Sequence, residues 1–453
     1  MTRLIVIGGV AAGMSAASKA ARQAKGMLVD VYTDERHIAY SACSLPYYTQ
    51  GVIDNEEVMI ARTPEEFGQQ GVNVHMGCTV KEIAQDKKQV LVAGPDGSGT
   101  WEAYDKLVIC TGARPIVPPL PGRELEGIFT VKQIPDVDRI KAYIAAKKPR
   151  TAVIVGGGFI GVEMAEALVN SGVKVTMLEM APQIMTLMDE DMAAMVQAEL
   201  EKAGVTVLTG AAVAGFEGAD GAVTSVNYAG GSVPAEIVIL AIGVKANTEM
   251  AAAAGIELGF KNAIRVNEYM ETNIPDIYAA GDCATAFHRI TEKETFIPLG
   301  TTANKQGRIA GENAAGGRRA FGGVVGTTIF KVMEMEGART GLSAREAGMN
   351  GFDAWEVSIT SNTRASGYPG RGPCTVKLVL EKDTDRLLGA QIFGAAGSGK
   401  RIDLVAAMAQ MKQTAYDLAS LDLAYAPPFS PVWDPILVAA NQAVSKSEKR
   451  RRQ

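Results

Sequence analysis

The sequence predicts an α/β protein with two Rossmann-like dinucleotide-binding domains followed by a C-terminal α+β domain. Residues 4–24 and 151–171 carry this prediction, because each stretch is typical of a buried strand, a glycine turn and a helix in that order. From about Gly326 the pattern changes to alternating strands and polar turns, which indicates a separate α+β domain. We therefore expect two nucleotide cofactors and a third domain of another kind.

The composition excludes several other classes of protein. A length of 453 residues suggests about three domains. The net charge of -5, with no basic stripe before the last residues, argues against a nucleic-acid partner. The five cysteines are too scattered for a disulfide framework or a metal site, so we expect no metal and a reducing, cytoplasmic setting. No apolar run approaches the length of a transmembrane helix.

The first unit begins with an apolar strand at residues 4–7 and continues into a glycine turn. Gly8 permits the tight turn, and Gly13 permits close packing of the helix at residues 14–24 on the strand. The helix N-terminus would then face a pyrophosphate. Val10 stands where the usual fingerprint has its middle glycine.

The second unit has the full G-x-G-x-x-G spacing, in Gly156, Gly158 and Gly161. A strand at residues 152–155 precedes these glycines and a helix at residues 162–171 follows them. This context makes the motif a specific indication of dinucleotide binding.

An acidic residue that binds a ribose is expected after the second strand of each unit. In the first unit the strand at residues 29–32 is followed by Asp34 and Glu35, either of which is placed to serve. In the second unit the strand at residues 173–178 ends in Glu179, roughly 20 residues past the glycines. A carboxylate at Glu179 favours NADH over NADPH, because it would repel the additional phosphate.

Further apolar strands end in turns that complete the cofactor sites. The strands lie at residues 107–110, 237–242 and 277–280, and their turns contain Thr111 and Gly112, Gly243, and Gly281 and Asp282. Asp282 is well placed to hydrogen-bond a ribityl or ribose hydroxyl group. A helix is expected after Pro298.

Residues 41–48 contain Cys43, which has no cysteine nearby. Pro46 follows it and Ser44 can cap a helix, so Cys43 is predicted at the start of a helix. A helix N-terminus lowers the pKa of a thiol and makes the thiolate available. The other cysteines are interpreted as structural: Cys78, Cys110, Cys283 and Cys374.

The C-terminal region ends in two distinctive segments. Residues 424–435 are too proline-rich for regular structure and carry three aromatic residues, which predicts packing on another surface such as a second subunit. The basic tail at residues 446–453 is predicted to be a solvated, disordered end.

Together, the two nucleotide units, the isolated cysteine, residues 279–282 and residues 424–435 resemble the FAD- and NAD-linked pyridine nucleotide-disulfide oxidoreductases. The resemblance extends to about residue 445. It implies an FAD-binding domain in two parts, an inserted NAD-binding domain and a C-terminal dimerisation domain. The implied bounds are 1–120 and 245–325 for FAD, 121–244 for NAD, 326–445 for dimerisation and 446–453 for the tail.

Within that family the chain resembles the single-cysteine branch. Tyr48 stands where the glutathione reductase branch has its second cysteine, and Ala11 stands where the peroxidases and water-forming oxidases have a histidine. The Gly-Gly-Val-Ala turn and Tyr425 match coenzyme A disulfide reductase and NADH-dependent persulfide reductase. Three positions depart from the pattern: Thr33 replaces the usual ribose-binding glutamate, Ala42 a common asparagine and Gly367 a frequent tyrosine. No rhodanese-like domain follows residue 445, so a persulfide would come from solution or from another protein.

The resemblance assigns a role to each site residue. Electrons would pass from NADH through FAD to Cys43, which attacks a low-molecular-weight disulfide, persulfide or polysulfide, with Tyr425 as proton donor and Phe159 as a gate over the flavin. A homodimer is implied, in which Tyr425 and Phe429 reach the partner's flavin site. A substrate linked to coenzyme A would contact Arg22, Ser41, Asn304 and Arg308. The cofactor contacts would be Gly8, Val10, Ala11, Gly13, Asp34, Thr111, Gly112, Arg114, Gly156, Gly158, Phe159, Ile160, Gly161, Glu163, Glu179, Gly243, Gly281, Asp282, Leu299 and Ala303.

Two other functions stay open. Thr33 leaves room for an NADH-linked electron-transfer subunit of a larger redox complex, which would co-purify with iron-sulfur partners. An NADH oxidase is the other alternative, and oxygen uptake as fast as disulfide turnover would favour it. Among sulfur substrates the residues do not discriminate, since coenzyme A disulfide, coenzyme A persulfide, polysulfide and glutathione persulfide all require one thiolate beside one flavin.

Overall fold

A computed structural model describes residues 1–452. Its first sheet has five parallel strands, and the strand of the first glycine turn lies at its centre. The central strands are strongly apolar because both faces of the sheet are covered. The helices Ala11–Gln23 and Gly300–Ala314 lie on one face, and a small antiparallel sheet within residues 79–103 lies on the other. In spatial order they are Ile277–Ala279, Lys106–Ile109, Arg3–Ile7, Leu28–Thr33 and Val72–Met76.

The second sheet repeats this arrangement around the second glycine turn. It also has five parallel strands, with Thr151–Val155 at its centre. Two Rossmann-like units are therefore confirmed. The spatial order is Thr206–Thr209, Lys174–Glu179, Thr151–Val155, Ile237–Leu240 and Ile128–Thr130.

The chain passes between these sheets twice, and the two passages pair with each other. Ala113–Pro115 and Val244–Ala246 form an antiparallel ribbon at the crossing points. The strand at Ile277–Ala279 then returns to the first sheet. The first nucleotide unit is thus made from two separated parts of the sequence, while the residue-level domain bounds stay a prediction.

The C-terminal region forms an antiparallel sheet, as its alternating pattern predicts. Its strands in spatial order are Thr328–Val332, Met335–Gly341, Leu387–Gly394, Pro373–Glu381 and Ala354–Asn362. The helices Ile402–Gln410 and Pro435–Arg452 pack on this sheet. Residues 422–434 contain no helix or strand, which confirms the prediction of an irregular segment.

The prediction of a disordered tail is wrong for the part of the chain that the structure describes. The helix Pro435–Arg452 continues through the basic residues. The fully buried carboxylate of Asp385 accepts hydrogen bonds from Arg450 and Arg451, at 3.1 and 2.7 Å, and a further one from Ser447. A like-charge run looks solvated in sequence, but here a buried acid from a distant hairpin compensates it.

The remaining helices and strands connect these layers. No helix in residues 1–452 is long and apolar enough to cross a membrane. Small antiparallel sheets are formed by Thr79–Ala84, Gln89–Ala93 and Gly99–Ala103, by Val213–Ala219, Ala222–Tyr228 and Gly231–Pro234, and by Ala286–His288 and Lys293–Thr295. The other α-helices are Ala11–Gln23, Leu45–Gln50, Pro64–Gly68, Ile134–Lys147, Phe159–Asn170, Glu190–Lys202, Glu249–Ala253, Gly300–Ala314, Ala344–Met349 and Ala415–Ala419.

Candidate active site

Both glycine turns have the backbone geometry that a dinucleotide site requires. Gly8 and Gly156 have φ angles of 109° and 107°, which residues other than glycine rarely adopt. A Cβ atom on Gly13 would lie 1.9 Å from the carbonyl oxygen of Gly8, and one on Gly161 would lie 2.0 Å from that of Gly156. The glycines therefore allow each helix to start directly against its strand.

The helices that follow these turns begin without a side-chain cap. Val10 and Gly158 are their N-cap residues, and neither accepts a side-chain hydrogen bond from the first turn. Other helices in the chain are capped by Thr63, Ser343 and Thr414. Free N–H groups beside a glycine turn fit a pyrophosphate, and a Cβ on Gly158 would meet no atom within 4 Å. The donor set of both turns thus fits a dinucleotide cofactor.

The acidic residue after the second strand differs between the two units. The Glu179 carboxylate accepts hydrogen bonds from the backbone N–H groups of Gly157 and Ala181, both at 2.7 Å, beside the second glycine turn. The strand register puts buried Thr33 at the corresponding place in the first unit. Asp34, one residue later, is exposed.

Glu35 is placed differently from Asp34. Its carboxylate accepts a hydrogen bond from the Tyr40 hydroxyl at 2.7 Å, and burial raises its pKa. Glu35 therefore points into the protein, whereas Asp34 is free to reach a ligand. The predicted role of Asp34 at a ribose stays a prediction.

Three elements converge on the first glycine turn. Gly281 has a φ angle of 84°, and a Cβ there would lie 2.7 Å from that of Ala12 and 3.4 Å from that of Ala303. Its N–H group donates to the Gln306 side chain at 2.9 Å. Leu299 is the N-cap of the helix that contains Ala303. The predicted set Gly281, Asp282, Leu299 and Ala303 therefore lies beside the start of the first helix.

Thr111, Gly112, Arg114 and Gly243 lie at the ribbon between the sheets. The Thr111 hydroxyl donates to the backbone carbonyl of Asn247 at 2.6 Å, and the Gly112 carbonyl accepts from the N–H of the same residue. The Arg114 guanidinium pairs with Glu249 and donates to the Asn247 side chain. In this structure the Arg114 side chain thus fixes the crossing between the units, and its contact with a cofactor stays a prediction.

Cys43 lies in a short turn directly before a helix, close to its predicted position at the start of a helix. A 3-10 turn spans Ala42–Ser44 and the helix Leu45–Gln50 follows it. The Ser44 hydroxyl donates to that of Ser41 at 2.8 Å and does not cap the helix, so the predicted cap is wrong. The Cys43 side chain is exposed.

The prediction of a lowered thiol pKa is also wrong. Partial burial raises the pKa of Cys43, and the carboxylates of Glu163 and Asp282 raise it further. Lys132 acts in the opposite direction. A helix of only six residues has a small dipole, and two nearby carboxylates outweigh it.

This electrostatic set joins residues from both nucleotide units. Glu163 comes from the second unit, and burial together with Glu166 raises its pKa to about 7. Asp282 comes from the first unit, and its carboxylate lies 3.5 Å from the Lys132 ammonium. Sequence reasoning missed Lys132, although its position just past the strand Ile128–Thr130, at the carboxyl end of a parallel sheet, is a signal of a site.

Helix packing explains why these residues meet. The helix Leu45–Gln50, next to Cys43, packs against the helix Phe159–Asn170. Phe159 and Glu163 are one turn apart on that helix and share a face. Ile160 is partly exposed, so its contact with a cofactor stays a prediction.

The predicted substrate residues are exposed on the two helices beside the first glycine turn. Asn304 accepts a hydrogen bond from the Ser15 hydroxyl at 2.7 Å, which holds the two helices together. Arg22 and Arg308 lie on the surface of these helices, and Ser41 is exposed beside Cys43. Arg308 also lines a cavity of about 300 Å³ with two further cationic residues, Lys305 and Arg319.

The irregular segment near the C-terminus exposes large apolar side chains. Tyr425 and Phe429 are 49% and 76% exposed, and Trp433 is 60% exposed. In residues 1–452 no hydrogen bond involves the Tyr425 hydroxyl. An apolar surface of this kind is typical of a subunit interface.

Within residues 1–452, no group of three or more potential ligands is placed to hold a metal.

The sequence matches two profiles of one protein family. Residues 2–307 match the pyridine nucleotide-disulphide oxidoreductases, and residues 327–435 match the dimerisation domain of these proteins.

Proteins from archaea are similar along nearly the whole chain. The NAD(P)H sulfur oxidoreductase (CoA-dependent) of Pyrococcus abyssi is 39% identical over 439 residues, which cover 96% of this chain and 97% of that protein. An NADH oxidase of Methanocaldococcus jannaschii is 36% identical over 446 residues, covering 98% and 99%. The solved structure of an NAD-dependent persulfide reductase from A. fulgidus matches with a TM-score of 0.96 and 37% identity, covering 99% of this chain and 84% of that one. The chain therefore belongs to the pyridine nucleotide-disulphide oxidoreductase family.

Proposed function

We propose that this protein is an NADH-dependent flavoprotein that reduces a low-molecular-weight disulfide, persulfide or polysulfide, with coenzyme A as the preferred carrier of the sulfur. It uses FAD and NAD(P)H, the cofactors of its family. The names of its relatives, which mention coenzyme A and sulfur, support this substrate class. The reaction would be cytoplasmic and carried out by a homodimer, which the dimerisation domain favours.

One observation carries the proposal: an exposed, solitary thiol lies where the two nucleotide units meet. Cys43 is the only cysteine of residues 1–452 that is exposed, and it is influenced by Glu163 from one unit and Asp282 from the other. A thiol between two dinucleotide sites is suited to receive electrons from one cofactor through the other. FAD, when bound to the first unit, would supply the electron transfer between NADH and sulfur.

The residues around Cys43 would control its protonation. The pKa of Glu163 near 7 allows this carboxyl to accept the thiol proton at neutral pH. The positive charge of Lys132 would then stabilise the thiolate. The Cys43 thiolate attacks one sulfur of the substrate, and the other sulfur leaves as a thiolate or sulfide. Tyr425 of the partner subunit would donate a proton to that leaving group.

Binding of a coenzyme A-linked substrate would use the exposed cations on the two helices beside the first glycine turn. Arg22 and Arg308 are suited to phosphate groups, because a guanidinium can bond two phosphate oxygens at once. Asn304, fixed by Ser15, would position the same part of the ligand. Glu179 would bind the adenine ribose of NADH, and Tyr425 and Phe429 would complete the partner's site.

The decisive experiment compares wild-type protein with Cys43→Ser and, as a matched control, Cys78→Ser. We expect Cys43→Ser to abolish NADH-dependent reduction of coenzyme A disulfide while NADH still bleaches the flavin. Cys78→Ser should retain both reactions. Retained disulfide reduction by Cys43→Ser would refute the proposal.

An anaerobic NADH titration separates the alternatives. If Cys43 is a second redox centre, about two NADH per FAD are consumed, and a thiolate-to-flavin charge-transfer band precedes bleaching. Full bleaching by one NADH, after prior reduction of the sample is excluded, would favour an electron-transfer subunit. Oxygen uptake as fast as disulfide turnover would favour an NADH oxidase, the activity named for one archaeal relative.

A further inference from the structure

Phe159, the first residue of the helix after the second glycine turn, rests on an aromatic ring from the C-terminal domain. The rings of Phe159 and Phe330 have their centroids 5.3 Å apart and are inclined at 60°. Phe330 is buried and lies on the strand Thr328–Val332, at one edge of the C-terminal sheet. A ring pair at this distance stabilises the position of both side chains beyond simple burial.

The C-terminal sheet is shaped to hold Phe330 in this place. Gly337 lies opposite it on the neighbouring strand, and a Cβ atom there would be 2.1 Å from the tip of the Phe330 ring. Because Gly337 has no side chain, the Phe330 ring can pack directly against the backbone of the neighbouring strand. Phe393 pairs with Gly337 from the other side and belongs to the same buried cluster.

A second contact fixes the same hairpin to the same helix. The buried carboxylate of Glu166 bonds the Lys331 ammonium and accepts from the N–H of Met333 at 2.8 Å. Glu166 is two turns after Phe159 on the helix Phe159–Asn170. The hairpin therefore contacts the helix at two points, through Phe330 and through the residues bound to Glu166. These contacts prevent Phe330 from following any movement of Phe159.

We propose that Phe330 is a positioning residue that holds Phe159 in its resting place over the path of the nicotinamide. The proposal rests on the proposed function and on the role of Phe159 as a gate over the flavin, which the family resemblance implies. A nicotinamide that takes this place must first break the contact between the two rings. Phe330 thus lowers the affinity for NADH and keeps the flavin face closed when NADH is absent.

This role predicts effects opposite to those of ordinary core damage. Removing the ring of Phe330 should tighten NADH binding roughly 2- to 12-fold, the equivalent of one aromatic contact. The same change should speed the reaction of the reduced flavin with oxygen, because Phe159 no longer covers it. A purely structural residue would instead weaken NADH binding or leave it unchanged.

The experiment uses the FAD-loaded protein and the variants Phe330→Leu and Phe330→Ala. Leucine keeps most of the buried volume, so Phe330→Leu remains informative if the alanine variant fails to fold. Phe393→Leu is the matched control, because Phe393 is equally buried, while no ring pair between it and Phe159 occurs in the described part of the chain. Stopped-flow flavin reduction gives the Kd and limiting rate for NADH, and oxygen uptake is measured without disulfide.

We expect both Phe330 variants to lower the Kd for NADH and raise oxygen uptake, and Phe393→Leu to change neither. A Kd in Phe330→Leu equal to that of wild type or of Phe393→Leu would overturn the proposal. Neither readout needs a sulfur substrate. Failure of all forms to reduce coenzyme A disulfide would therefore refute the proposed substrate and leave this result standing.

Discussion

Replacing Gly307 by alanine tests whether close helix packing holds the first nucleotide site together. Gly307 lies on the helix Gly300–Ala314, where it meets the backbone of the helix Ala11–Gln23. A Cβ on Gly307 would lie 2.2 Å from the carbonyl oxygen of Ala12. Backbone atoms cannot rotate aside, so the helices would have to separate by about 1 Å to reach ordinary van der Waals contact.

Two opposing terms set the expected magnitude. Overpacking a well-packed contact costs typically about 1–3 kcal/mol. Replacing glycine by alanine inside a helix returns about 1 kcal/mol, because the unfolded chain loses less entropy on folding. We expect a net decrease of up to about 2 kcal/mol in the free energy of unfolding. FAD retention should also fall, since Ala12 is in the first turn of the helix that would face the pyrophosphate.

Denaturant unfolding followed by flavin fluorescence, with the FAD content of the purified protein, measures both effects. Gly348→Ala is the matched control: Gly348 is in the helix Ala344–Met349, and a Cβ there would meet nothing within 4 Å. That control should be stabilised by up to about 1 kcal/mol. A Gly307→Ala protein with wild-type stability and full FAD content would refute the packing argument.

Three further predictions concern charges. Lys132→Met should raise the pKa of Cys43, because the Lys132 charge lowers it, and the pH profile of thiol alkylation should move to higher pH. An unchanged profile would contradict a direct charge effect, and Lys132→Arg should leave the profile in place. Glu179→Ala should raise the KM for NADH roughly 10-fold or more, as expected for the loss of hydrogen bonds to a charged group. It should also reduce the preference for NADH over NADPH. An unaltered ratio of the kcat/KM values for NADH and NADPH would show that Glu179 does not contact the ribose. Asp385→Ala should lower the free energy of unfolding by about 1–3 kcal/mol, less than for a fully buried ion pair because its two arginine partners are partly exposed. Glu448→Ala, which removes an exposed pair, should change the free energy of unfolding little. Equal effects in the two variants would disprove the role of burial.

Patterns of consecutive residues were sufficient to predict the two nucleotide units and the irregular segment of the C-terminal region. A parallel strand buried on both faces must be apolar, and a turn with a positive φ angle strongly favours glycine, so these features appear in consecutive residues. Gly8, Gly13, Gly156 and Gly161 therefore have the geometry that their spacing predicts. The proline content of residues 424–435 likewise indicated irregular structure, which the chain has up to residue 434, where the last helix begins at Pro435.

The errors came from residues whose environment is supplied by distant parts of the chain. The basic end of the chain is helical because Asp385, far away in sequence, compensates its charge. The pKa of Cys43 is raised because Glu163 and Asp282 are brought beside it from two different units. Neither partner is near its target in the sequence.

The sequence by itself thus determined which cofactor-binding units the protein contains and which cysteine stands alone, because strand burial and turn conformation are local properties. Only the tertiary structure decided the electrostatics of Cys43 and the contact between Phe159 and Phe330. It also showed that Lys132, which no motif marks, lies beside Asp282. The physical reason is that charges and rings act over a few ångströms in space, whatever their separation along the chain.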